Sequence, residues 1–236
     1  MSLAHDVRDR LLEGMRVGAF ADGRLPPEAE LAEQLGVSRA TVRAALQTLA
    51  EDGVVSRRRR HGTVINEHML RGSVPLNRLL SFREVVEQSG YVASVDPLVR
   101  RVEVAAPAVA TALQLVPGEQ CLVADRLLRA DGVPAITITD VLPVRWLLMP
   151  ADEVPDSDTT FSLIAACTGA TVDHSLVEIV PSVATDDEPA HLDLAAGTPY
   201  AQLRELIFSP MQEPVAFSRI AVDCRRMRLT LVRRAV

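Results

Sequence analysis

The chain has 236 residues, 48% of them apolar, and a formal net charge of −6 at pH 7. That length holds one large domain or two ordinary ones, and that apolar content excludes disorder as the main state. No apolar run approaches the ~20 residues needed to span a bilayer, and the first residues lack the layout of a signal peptide, so a cytosolic protein is expected. Cys121, Cys167 and Cys224 are far apart, sit among apolar or small neighbours and show no metal-ligand spacing. They predict buried free thiols, with no metal centre. No cofactor is expected.

In chain order, Leu3, Val7, Leu11 and Met15 recur every four residues and predict a helix over 3–18. Residues 19–27, with Gly23 and Pro26-Pro27, read as a turn region. Leu31 and Leu35 share one face of a second short helix. Gly36 ends it, because glycine takes the left-handed conformation without a Cβ penalty. Val37 plugs the core beneath the turn, and Ser38 is a natural N-cap for a third helix. Val42, Ala45, Leu46 and Leu49 then make a buried stripe. Arg39, Thr41 and Arg43 are left on the outer face, near the helix start. This is the layout of a helix-turn-helix, in which the second helix meets base edges in the major groove.

A charged outer face is ordinary on a surface helix. The following residues decide. Val54-Val55 and Thr63-Val64-Ile65 are short β-branched runs separated by an arginine-rich turn and Gly62, which predicts a hairpin, or wing. Arg57, Arg58, Arg59 and Arg60 at its tip suit phosphates or a narrow minor groove. Concentrated charge matters here: residues 1–75 carry 11 Arg against 10 Asp and Glu, and the remainder carries 14 against 21. All 25 basic residues are Arg, so every phosphate contact would use a planar guanidinium.

The run Leu25-Pro-Pro-Glu-Ala-Glu-Leu-Ala-Glu-Gln-Leu-Gly-Val-Ser-Arg-Ala-Thr-Val-Arg43, with Asp52-Gly-Val and His61-Gly-Thr-Val, resembles the DNA-binding domain of GntR-type bacterial regulators. The resemblance covers about the first seventy positions. It implies DNA contacts on Ser38, Arg39, Thr41, Arg43 and the His61-Gly62-Thr63 wing. The family usually has Ser-Glu-Arg-Glu where this chain has Pro27-Glu-Ala-Glu30. Pro27 removes a capping hydroxyl and Ala29 an arginine that in the family meets DNA, so a different operator preference or affinity is expected.

Residues 67–79 show no clear period and include Gly72 and Pro75, which reads as a linker between residues 1–66 and 80–236. Ser81-Phe-Arg-Glu84 is a capping box opening a helix that ends near Gly90. Val92 to Val104 is β-rich, Pro107 to Leu115 a short helix, and 121–129 and 135–142 the strands of a hairpin. A helix over 159–167, a strand over 171–184 and a short helix over 186–194 follow. A second hairpin pairs 202–208 with 215–223, and 229–232 is a final strand. Helix, turn, strand, turn and strand occur at 108–142 and again, weakly, at 190–223. Two such units predict an antiparallel sheet of about six strands with helices on one side, an α+β fold.

This part resembles the UTRA effector domain of the HutC branch of GntR regulators, which is similar in fold to chorismate lyase. The resemblance rests on Leu113-Gln-Leu-Val-Pro-Gly-Glu, Asp125-Arg-Leu-Leu-Arg-Ala-Asp-Gly-Val-Pro, Leu142-Pro143 and Gln212-Glu-Pro-Val-Ala-Phe-Ser218. It implies a small-molecule effector near Arg126. A helix N-terminus at Ser81-Phe82-Arg83 offers free N–H groups and positive dipole to an anion. Asp140, Thr159 and Ser218 are further candidate contacts. The other reading is structural: Ser81 and Glu84 cap their helix, and Arg126 pairs with an acid of the sheet. Positions polar in sugar-phosphate members of the family hold Leu128, Ile138 and Ala216 here. An effector that is less polar, or held mainly by an anionic end, is therefore expected.

The expected function is a ligand-responsive transcription factor, a repressor acting as a homodimer on a near-palindromic operator, with no membrane association. One alternative is a regulator with a vestigial pocket that senses a partner protein; the other is an enzyme of chorismate-lyase type with an accessory DNA-binding head. It lacks convergent groups, since neither His174 nor His191 has a partner at a suggestive spacing, and a shared fold does not carry function. No catalytic residue is assigned.

Overall fold

In a computed structural model, residues 3–58, 62–70, 74–75, 79–96, 99–187 and 189–230 are described. The chain forms two compact units, Met1–Arg78 with Leu229–Val236, and Leu79–Arg228.

The first unit opens with α1 (Leu3–Arg16), then β1 (Arg24–Leu25), α2 (Glu28–Leu35), α3 (Arg39–Glu51), β2 (Val55–Arg58) and β3 (Gly62–Ile65). Val7, Leu11 and Met15 of α1 bury against Leu31, Val42, Leu46 and Leu49 of the helix pair. Gly36 stands at φ 68 and caps α2, as glycine at such a turn allows. One charge pair lies within this core: Arg8 and Asp52 are 5% and 2% exposed, and the pair ties α1 to the C-cap of α3.

Residues 19–27 differ from a plain turn. Arg24 and Leu25 pair with Val64 and Thr63, so the wing is a three-stranded sheet of order β1-β3-β2. Two residues are too few to show a period. The segment 67–79 also carries structure: a 3-10 turn over Glu67–Met69 and β4 (Val74–Pro75). The last strand, β12 (Leu229–Thr230), pairs in parallel with β4 and belongs to the first unit, where a place in the second was expected.

The second unit holds α4 (Phe82–Gln88), β5 (Ala93–Val95), β6 (Val99–Val104), α5 (Pro107–Ala112), β7 (Gln120–Ala130) and β8 (Val133–Pro143). It continues with α6 (Thr160–Thr168), β9 (His174–Val183), β10 (Pro199–Phe208) and β11 (Pro214–Val222). Seven strands form one sheet of order β5-β7-β8-β11-β10-β9, with β6 also on β7 and every pairing antiparallel. Alternation sends successive side chains to opposite faces. Leu122, Ala124, Leu142 and Ala216 pack with Leu163, Ile164 and Cys167 of α6 on one face. Cys121, Val123, Val141 and Phe217 pack with Val109 of α5 on the other. Helices therefore flank both faces, which corrects the expectation of one.

Two further expectations are corrected. No helix forms among the described residues of 186–194. His191 and Asp193 stand at φ 66 and 50, in a left-handed region that an α-helix excludes. Cys121 and Cys167 are buried free thiols, pushed up to about 11 by burial, but Cys224 is exposed because it lies in the turn that follows β11. No helix among the described residues is long and apolar enough to cross a membrane.

Candidate nucleic-acid interface and effector site

At the start of α3, the Thr41 N–H donates to Ser38 Oγ at 3.1 Å, closing the cap that its sequence suggests. The two hydroxyls also meet, at 2.8 Å. Val42, Ala45, Leu46 and Leu49 are fully covered below, and this fixes the outward direction of Arg39 and Arg43, both exposed. The wing strands register Arg57 with Thr63 and Arg58 with Gly62, and Gly62 has φ 74. Arg59, Arg60 and His61 lie outside the described residues.

One acid joins these pieces. Glu28, in the first turn of α2, accepts from Arg43 Nε and Nη2 at 3.1 and 2.9 Å through one oxygen and from Arg57 through the other. The Arg43 hydrogen bond, with Arg57 alongside, holds the Glu28 carboxyl below its ordinary range. Helix α3 and the wing thus share a carboxylate that holds two guanidinium groups together. In the sequence Glu28 stands out only as part of a motif, because partners fifteen and twenty-nine residues away leave no local signal. Pro27 gives α2 no side-chain cap, as its missing hydroxyl requires.

The expected effector residues divide into two groups. Ser81 caps α4 in a complete capping box with Glu84. Phe82 is the first helical residue, and Arg83 pairs with Glu87 at 3.1 Å and Asp158 at 2.8 Å. Thr159 caps α6 reciprocally with Ser162. Arg126, Asp140 and Ser218 come together inside the sheet. The Arg126 and Asp140 side chains pair with no exposed surface at all. Arg126 also donates to Thr160 Oγ1 at 2.8 Å and to the Ser157 carbonyl at 3.1 Å. Asp140 accepts from Thr160 at 3.1 Å and from Ser218 at 2.5 Å. Burial pushes the Asp140 carboxyl up, against the pull of Arg126 and both hydroxyls.

Two members of this cluster were not foreseen. Thr160 adjoins the expected Thr159 but points inward. Glu205, the register partner of Ser218, is 7% exposed, and burial pushes its carboxyl up against a Ser175 hydrogen bond. An acid alternating with Leu203 and Ile207 on a strand was the available signal. Leu128, Ile138 and Ala216, the apolar replacements, are all buried. Among the described residues no group of His, Cys, Asp and Glu is arranged to hold a metal ion.

Residues 3–65 match the bacterial regulatory proteins of the gntR family, and residues 88–228 match the UTRA domain. The chain belongs to the GntR-family regulators that carry a UTRA domain. An HTH-type transcriptional regulator of Rhizobium meliloti is 28% identical over 98% of this chain and 95% of its own length. The HTH-type transcriptional repressor PhnF of Mycolicibacterium smegmatis is 34% identical over 58% of this chain and 53% of its own. The PhnF crystal structure superposes with a TM-score of 0.62 at 27% identity, covering 98% of this chain and all of that one. The possible transcriptional regulator YydK of Bacillus subtilis shares the fold over the whole of both chains, with a TM-score of 0.75 at 17% identity. This UTRA-containing GntR protein is thus a transcriptional regulator, and its families and relatives are regulators, not enzymes.

Proposed function

We propose that the chain is a ligand-responsive repressor that acts in the cytosol as a homodimer on a near-palindromic operator. The observation that carries this reading is the exposed pair Arg39 and Arg43, with the half-buried Thr41 between them, beside a wing whose Arg57 shares Glu28 with Arg43. Ser38 and the wing residues Arg58, Arg59, Arg60, His61, Gly62 and Thr63 complete the proposed contact set. Residues 1–66 read the operator, and residues 67–79 link them to the sensing part. Two-fold symmetry of the protein then implies two related half-sites. Two relatives named as repressors, PhnF and a probable fructoselysine utilization repressor of Escherichia coli, support the direction of control.

The effector in this reading is a small metabolite with an anionic end, taken at Arg126 with Ser81, Phe82, Arg83, Asp140, Thr159 and Ser218 around it. Its anion replaces the Asp140 carboxylate as the partner of Arg126. Binding shifts the population between two arrangements of the reading heads by its differential affinity for them. One observation favours a second reading, a regulator whose pocket at Arg126 is vestigial: both Nη atoms of that guanidinium are already taken by Asp140, Thr160 and the Ser157 carbonyl, and only Nε is left without a partner.

Selection of bound oligonucleotides from a random pool tests the main reading. It predicts paired, inverted half-sites at a fixed spacing. A single half-site occupied by one copy contradicts the dimer.

A further inference from the structure

The Arg126 cluster lies on one face of the large sheet. The opposite face, within the same unit, carries a cavity of about 580 Å³, a size typical of small-molecule pockets. Two adjacent cross-strand rows make its floor. Asp125, Thr139 and Arg219 face one another across β7, β8 and β11. Leu127, Thr137, Ala221 and Gln202 form the next row, across β7, β8, β11 and β10. The β5–β6 edge supplies one wall and the stretch around His191 the other, where a left-handed backbone replaces the expected helix.

The charges of this lining decide what it takes. Its carboxylates are Asp96, Asp125, Asp187 and Asp193; its arginines are Arg101, Arg129, Arg219 and Arg126, the last with its side chain fully covered in the cluster on the other face. Four carboxylates against the three guanidinium groups that are not already buried elsewhere do not make an anion trap. Arg129 is held in a fork by Asp96 at 2.9 and 2.8 Å, and Arg101 is paired with Asp125. An incoming anion has to displace a carboxylate at either place. By contrast, Thr137, Gln202 and Tyr200 make no side-chain hydrogen bond to another described residue. Each is neutral, and each both donates and accepts. Leu127 and Ala221 add the apolar surface on which a ring or carbon chain lies.

We propose that this cavity binds a small, uncharged, hydroxyl-rich molecule of the monosaccharide or alditol class, independently of the Arg126 site. Hydroxyls of such a ligand donate to the paired carboxylates, accept from the paired guanidinium groups, and use Thr137, Gln202 and Tyr200 in either sense. Every polar group is then satisfied without breaking an ion pair.

The test is a thermal-shift and calorimetric screen of the full chain against a panel of neutral monosaccharides and alditols, with their phosphates as a second arm. Gln202→Leu and Thr137→Val alter the cavity floor, the latter without a change of shape. Arg83→Ala alters the opposite face. The expected result is stabilisation by at least one neutral member, with binding weakened at least tenfold in both cavity variants and unchanged in Arg83→Ala. Absence of any stabilisation by the neutral arm overturns the proposal. So does binding that Arg83→Ala weakens and the cavity variants do not. Stabilisation by phosphates alone, lost in Arg83→Ala, overturns it while supporting the anionic effector at Arg126.

Discussion

Two arginine–carboxylate clusters use the same chemistry in opposite settings. Glu28 joins Arg43 and Arg57 at the surface of the first unit, with Arg43 64% exposed. Asp140 holds Arg126 inside the second unit, with both side chains at 0%. Exposed pairs contribute about 0–1 kcal/mol and are screened by salt. In the proposed reading they yield readily to a phosphate backbone, and the carboxylate serves to orient the arginines. A buried pair costs about 3–5 kcal/mol to break, because the surviving charge has no solvent. It is first a structural element, and it becomes a switch only for a ligand that replaces the lost partner. Burial, more than residue type, separates an exposed pair that a new partner can replace from a strut of the sheet.

The largest effect should come from breaking the buried cluster. Asp140→Ala leaves Arg126 uncompensated and is expected to cost about 3–5 kcal/mol in denaturant unfolding. The double change Arg126→Met with Asp140→Leu, which removes both charges, should cost distinctly less. Equal losses would mean that packing, not charge, holds this site. Glu205 sharpens the same point through pH. Its folded pKa is raised by burial, so its favourable contribution is complete below the ordinary carboxyl range and is lost as pH rises through the folded value. Glu205→Gln should therefore be more stable than the parent at neutral pH, on the order of 1 kcal/mol. The gap should close on acidification, and a gap that widens instead would place the charged form as the favoured one.

The exposed cluster should respond in function with little change in stability. Glu28→Gln removes the shared carboxylate and is expected to shift the thermal midpoint hardly at all. It should change operator affinity and its dependence on salt, since Arg43 and Arg57 lose their common orientation while the local charge becomes more positive. Affinity and salt slope both unchanged would show that Glu28 does not orient the arginines.

The same contrast explains what was legible in the sequence. Helix α3, its Ser38 cap and its buried stripe follow from local spacing, and so do the hairpins β7–β8 and β10–β11. Those features depend on neighbours within a few residues. The contacts that define the sites do not. Glu28 meets Arg57 across twenty-nine residues, and Asp140 meets Ser218 across seventy-eight. The strand β1 is two residues long, and β12 returns to the first unit after the whole of the second. The failed helix at 186–194 has the composition of a helix, but His191 and Asp193 adopt a backbone that composition does not encode.

The central claim is that guanidinium groups at the start of α3 make the affinity for DNA. Its most direct test is equilibrium binding of Arg39→Ala/Arg43→Ala to the selected operator at physiological salt, alongside its thermal midpoint. With each side chain worth about 1–3 kcal/mol at a base edge, affinity should fall roughly a hundredfold or more while the midpoint stays near that of the parent. Unchanged affinity in a folded double variant would contradict the account.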